Sequence, residues 1–104
     1  MSELVEIFEK IVGRFDASKM AGLNATVQFD LGTGNQHHLI IANGTMKHGQ
    51  GMAEKADATL TMASEDFVAL TKGQLNPMNA FMSGKIKVAG DMGLVMKLQS
   101  LLTG

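Results

Sequence analysis

The chain contains no cysteine, which excludes disulfides, thiolate metal sites and a cysteine nucleophile. Tryptophan and tyrosine are absent too, and the five phenylalanines are too few for a base-stacking platform on single-stranded nucleic acid. There is no excess of positive charge. A net charge of −1 and a pI near 6.3 argue against a nucleic-acid binder, which needs a basic surface for phosphates. No apolar run approaches the ~20 residues of a membrane span. Glu3, Glu6 and Glu9 interrupt the apolar residues at the start, unlike a secretory signal peptide. The end, Leu101-Leu102-Thr103-Gly104, is not a peroxisomal Ser-Lys-Leu tail. Together these absences read as a cytoplasmic chain.

What is present suits one small globule. With 104 residues and a hydrophobic fraction of 45%, one domain over 1–104 is expected, burying roughly two-thirds of its unfolded surface. Ser2 can cap a first helix, in which Leu4, Ile7, Phe8, Ile11, Val12 and Phe15 recur at helical spacing opposite Glu3, Glu6, Glu9, Lys10 and Arg14. This reads as a helix covering a sheet, or as an amphipathic helix that docks on membranes, although its polar face is net acidic. Ala21 to Asn24 reads as a turn. Val27, Phe29 and Leu31 alternate with Gln28 and Asp30, a strand with the last two outward. His38 to Ala42 is a second strand, and Asn43-Gly44 a type I′ hairpin signal. That turn pairs Ala42 with Thr45, Ile41 with Met46, Ile40 with Lys47 and Leu39 with His48. His37, Leu39, Ile41, Met46 and His48 then face the core. Ile40 falls on the wet face, as an exposed patch or a homodimer edge.

Ala58, Leu60 and Met62 alternate with threonines in a fourth strand. Ser64-Glu65-Asp66 caps a helix that Gly73 stops. Asn76-Pro77 starts another helix, which ends at Gly84. Lys85 to Ala89 alternates as a fifth strand with Ile86 and Val88 inward. Gly90-Asp91 then caps a last helix from about Met92 to Leu102. Strands followed by helices give an α+β fold, a five-stranded, largely antiparallel sheet covered on one face by helices.

Catalytic constellations are missing. His37 and His38 are adjacent on a strand and point to opposite faces. His37 and His48 share a face on a diagonal, but no carboxylate joins them, so no metal is assigned. None of the serines lies in a Gly-x-Ser-x-Gly elbow, and Ser64 is explained as a cap. No cofactor motif appears, and the reading is not an enzyme. The nine methionines are more informative. Met78 and Met82, and Met92 and Met96, are pairs one helical turn apart. Methionine is flexible and polarisable and suits a wall that adapts to ligands of different shape. On the last helix Leu94, Val95, Leu98, Leu101 and Leu102 occupy one arc, which Met92 and Met96 extend past Gln99. The arc is roughly twice what one core contact needs. Leu94, Leu98 and Leu101 are assigned to the core.

Asn76-Pro77, Ala80-Phe81-Met82, Gly84-Lys85-Ile86-Lys87, Gly90-Asp91-Met92-Gly93-Leu94 and Met96-Lys97-Leu98-Gln99, in this order and spacing, resemble the C-terminal signature of sterol carrier protein-2 domains. Ala58-Thr59-Leu60-Thr61-Met62, Glu65-Asp66-Phe67, Leu70 and Gly73 resemble the segment before it. The resemblance implies an intracellular, non-specific carrier with an apolar tunnel for fatty acid, fatty acyl-CoA, sterol or phospholipid. The lipid-binding residues expected here are Ile41, Met46, Phe67, Met78, Phe81, Met82, Val95, Met96, Gln99 and Leu102. Gln99 would lie near the polar end of the lipid. The family often has Gln where this chain has Ser83, a departure that bears on headgroup preference. The expected partners are a small-molecule lipid and, transiently, a membrane surface. An accessory domain presenting lipid to an enzyme, and a ligand-free dimerisation module built on Ile40 and the first helix, are the alternative readings.

Overall fold

The elements follow in the order α1 (Glu3–Gly13), β1 (Ala25–Asp30), β2 (Gln36–Ala42), β3 (Thr45–Gln50), β4 (Ala58–Thr61), α2 (Ser64–Thr71), α3 (Pro77–Met82), β5 (Lys87–Gly90) and α4 (Met92–Thr103). They are seen in a computed structural model that describes residues 3–16, 18 and 22–103. The expected Ser2 cap, and Ala21 of the expected turn, lie outside the described residues. Asn43 and Gly44 have φ of 53° and 74°, the two positive values a type I′ turn needs. All four expected pairs across the hairpin are present, from Ala42↔Thr45 to Leu39↔His48.

The sheet order is β3-β2-β1-β4-β5. Three of its neighbouring pairs are antiparallel, while β1 and β4 run parallel, so the sheet is mixed. On one face α1 packs on β3 and α2, α2 on α4, and α4 on β4, so helices span the sheet from one end to the other. The core runs beneath them through Phe8, Phe29 and Phe67. Phe67 stacks on Phe8 at 5.0 Å between ring centroids and meets Phe29 edge-on at 5.7 Å. Arg14 donates to the carbonyl of Leu101 at 3.1 Å, a favourable place for a cation, since the C-terminal turn of a helix carries partial negative charge.

The helix α1 covers the sheet. Leu4, Ile7, Phe8 and Ile11 are buried, and Glu3, Glu6 and Glu9 are exposed. Val5 and Val12 are half-buried. Ile40 is 40% exposed on the opposite face.

Three sequence expectations are corrected in detail. Gln28, expected outward in water, is buried because residues 51–53 fold back over the far face of β1. Its amide nitrogen donates to the carbonyls of His37 (3.0 Å) and Gly51 (3.2 Å), and its oxygen accepts the Ala53 N–H at 2.7 Å. Ser64 does not cap α2. The cap position is Ala63, with no side-chain bond, and Ser64 is already in the first turn. Strand β5 begins at Lys87 rather than Lys85, since the N–H groups of Lys85 and Ile86 both donate to the Ala80 carbonyl of α3.

Candidate functional site

The cleft lies where α3 and α4 meet β4 and β5. Asn76 starts α3 by accepting the N–H groups of Met78 (2.9 Å) and Asn79 (3.1 Å), with Pro77 in the first turn. The two bonds that Ala80 accepts from Lys85 and Ile86 return the chain tightly from α3 into β5. Strand β5 then pairs with β4, Leu60 opposite Val88. Gly90, at φ 91°, ends it so close to β4 that an added Cβ would fall 2.4 Å from the Asp57 carbonyl oxygen. Asp91 accepts the Leu94 N–H at 3.1 Å and so begins α4 as an N-cap.

Two stripes run along α4. Leu94, Leu98 and Leu101 are buried in the core. Met92, Val95, Met96, Gln99 and Leu102, spaced as i, i+3, i+4, i+7 and i+10, face the cleft. From α3 come Pro77, Met78 and Phe81. The sheet adds Leu60, Met62, Ile86 and Val88, and α2 adds Leu70. The volume of the cleft, which is open on one side, is about 170 Å³. Among the described residues Gln99 is the single polar member of this lining, and none of them is charged. Such a space offers burial and one amide.

Six of the ten expected lipid-binding residues converge here: Met78, Phe81, Val95, Met96, Gln99 and Leu102. The other four do not. Ile41 and Met46 are buried on β2 and β3, beyond β1 from the cleft. Phe67 is fully buried among Phe8 and Phe29. Met82 is 80% exposed and outside the lining. The expected set lacked Leu60, Met62, Leu70, Pro77, Ile86, Val88 and Met92. Inward alternation in β4 and β5, and the Met92–Met96 spacing, carry the signal for most of these.

The histidine faces are as expected, and His37 meets His48 directly. Nδ1 of His37 and Nε2 of His48 are 2.9 Å apart, and Phe8 stacks on both rings at 4.7 and 4.8 Å. Burial pushes both histidines below the usual imidazole range, with the charge of a neighbouring histidine adding to it. One nitrogen must donate and the other accept, so the bond holds with at most one of the two rings protonated. His38 donates from Nδ1 to the Gly51 carbonyl at 3.0 Å on the other face. Among the described residues no group of three or more His, Asp or Glu is placed to hold a metal ion. No helix among them is long and apolar enough to cross a membrane.

A model of the SCP-2 sterol transfer family matches residues 8–103. Sterol carrier protein 2 of Rattus norvegicus is 52% identical over 61 residues, which cover 54% of this chain and 11% of that protein. The chain thus spans about a ninth of the length of that relative. The solution structure of the sterol carrier protein domain 2 of Helicoverpa armigera is 33% identical, with a TM-score of 0.70, covering 98% of this chain and 87% of that one. The solution structure of palmitated SCP2L2 from Aedes aegypti is 26% identical, with a TM-score of 0.75, covering 100% of this chain and 96% of that one.

Proposed function

This chain belongs to the SCP-2 sterol transfer family, and we propose that it is a lipid carrier that holds the acyl or sterol portion of one lipid in the cleft between α3, α4 and the β4–β5 edge. The observation that carries the reading is the lining itself, apolar throughout except for Gln99. The palmitate on a similar domain supports the ligand class. Solvation is the mechanism. Each buried CH₂ is worth about 0.8 kcal/mol, so eight of them offset about 6 kcal/mol of exposure to water. No bond is made or broken. The cleft is smaller than the ~300–1,000 Å³ of a typical ligand pocket, so a long chain enters by turning the flexible, exposed Met78 and Met96 side chains outward. Gln99 then lies beside the polar end.

Titration with fluorescent fatty acids of several chain lengths tests this. Saturable binding at micromolar affinity or better, with shallow dependence on length, is expected, and no saturable binding at any length overturns it. The match to a small part of a much longer relative favours a second reading, in which the same cleft presents lipid to an enzyme. Transfer between donor and acceptor vesicles by the chain alone separates the two, because a presenting domain needs its enzyme for turnover.

A further inference from the structure

The nine methionines carry all of the chain's sulfur, since cysteine is absent, and neither tryptophan nor tyrosine is present to share an oxidant. Oxidation by a peroxide therefore falls on methionine thioethers, which become sulfoxides and are restored by methionine sulfoxide reductases. The fold sorts these thioethers. Met46 and Met62 are held in the core at 6% and 5% exposure. Met78, Met92 and Met96 are 65%, 46% and 67% exposed, and all three line the cleft. Met92 and Met96 lie one turn apart on α4, and Met78 faces the same space from α3. Met52 and Met82 are exposed as well, Met52 beside a groove on the far face of the sheet and Met82 outside the cleft lining. Met1 and Met20 lie outside the described residues.

We propose that Met78, Met92 and Met96 together form an oxidation site, through which hydrogen peroxide lowers the affinity of the cleft for lipid. The inference rests on the carrier reading and adds a chemical control of the same cleft. The step balances without a cofactor. A sulfur lone pair attacks one peroxide oxygen, and the S–O bond forms as the O–O bond breaks. The departing oxygen takes both protons and leaves as water. The thioether is oxidised to the sulfoxide and the peroxide is reduced. A flexible apolar side chain thereby becomes polar. Gln99 is the single polar member of the lining among the described residues, so sulfoxides at these three positions change its character. Each sulfoxide oxygen is stripped of water as a lipid enters, and an acyl chain donates no hydrogen bond in return. Oxidation in the core is slowed by burial, so the change is confined to the cleft and to exposed positions away from it.

The test treats the whole chain with hydrogen peroxide and locates the sulfoxides by peptide mass spectrometry. Fluorescent fatty acid is titrated before treatment, after it, and after incubation with methionine sulfoxide reductases, and the thermal midpoint of each sample is read. Met78, Met92 and Met96 should gain oxygen well before Met46 and Met62. Fatty-acid affinity should fall about tenfold or more with the protein still folded, and the reductases should restore it. Met52→Leu with Met82→Leu, both outside the cleft lining, should keep the parent's full response. Met78→Leu with Met92→Leu and Met96→Leu should have the same affinity before and after peroxide, whatever that affinity is. If this triple variant binds no fatty acid, the parent and the double variant decide. The proposal is overturned if the three cleft methionines stay unoxidised while Met52 and Met82 react, or if their sulfoxides leave affinity unchanged. It is also overturned if the loss coincides with unfolding, if the double variant no longer responds, or if the triple variant responds as the parent does. A parent that binds no fatty acid before treatment overturns the carrier reading and this inference with it, whereas binding that survives oxidation overturns this inference alone.

Discussion

His37 and His48 share one hydrogen bond, Nδ1 to Nε2 at 2.9 Å, on a diagonal between β2 and β3. Phe8 lies over both rings, so α1 is held to the sheet over an imidazole pair whose hydrogen bond is lost once both rings are protonated and neither nitrogen can accept. Glu9 is the one group that opposes the lowering at His48, and His38 adds to it at both rings.

The first prediction concerns pH. Both histidines have their folded-state pKa depressed below the unfolded value, so the unfolded chain binds more protons in the window between the two. Stability therefore rises with pH through that window. The contribution is present above about pH 6.5 and is lost as pH falls through the lower folded values. The thermal midpoint should drop on going from pH 7 to pH 5, and replacing both His37 and His48 by Phe should flatten that dependence. A parent midpoint that stays level or rises toward pH 5 contradicts the assignment.

Gln28 provides the second. Its side chain serves the carbonyls of His37 and Gly51 and the N–H of Ala53. Gln28→Leu fits the apolar volume but orphans these groups, at a cost of about 1–3 kcal/mol for a buried unsatisfied group. Urea unfolding should show a loss of that order, and amide exchange at Ala53 should accelerate. Unchanged exchange at Ala53 would mean that the loop over 51–53 is held by something else.

A third prediction separates the two stripes of α4. Leu98 is fully buried, whereas Met96 is 67% exposed at the cleft. Leu98→Ala should cost about 2–5 kcal/mol of stability. Met96→Trp should leave the unfolding midpoint near that of the parent and weaken fatty-acid binding at least about tenfold, or 1.4 kcal/mol, by filling the cleft. Urea titrations and fatty-acid titrations of both variants check the pair. Equal loss of stability in the two variants would erase the distinction.

Local chemistry was the legible part of the sequence. Asn43-Gly44 dictates its own turn and hence the β2–β3 register, and the caps at Asn76 and Asp91 act within three residues of themselves. The apolar stripes of α1 and α4 are read from spacing alone. What the spacing does not encode is which end of the sheet an inward residue reaches. Ile41 and Met46 point inward as expected, but the parallel joining of β4 to β1 puts two further strands, β4 and β5, on the side away from them. The cleft forms at those strands. Phe67 is likewise inward, yet the aromatic contacts of Phe8 and Phe29 claim it for the core. Gln28 escapes the alternation rule because a loop more than twenty residues later covers the far face. Period-two patterning treats that face as water. Met82 fails for a simpler reason. It is four residues from Met78, but a six-residue helix presents only Pro77, Met78 and Phe81 to the cleft.

The most direct measurement is methyl NMR of the nine methionines during titration with a fatty acid that carries a spin label near its methyl end. If the cleft between α3, α4 and the β4–β5 edge holds the acyl chain, the Met78, Met92 and Met96 methyls broaden saturably. Met46, buried on β3, and Met52, on the far face, stay sharp. Saturable broadening centred on Met46 or Met52, with Met78 and Met96 untouched, would contradict the account.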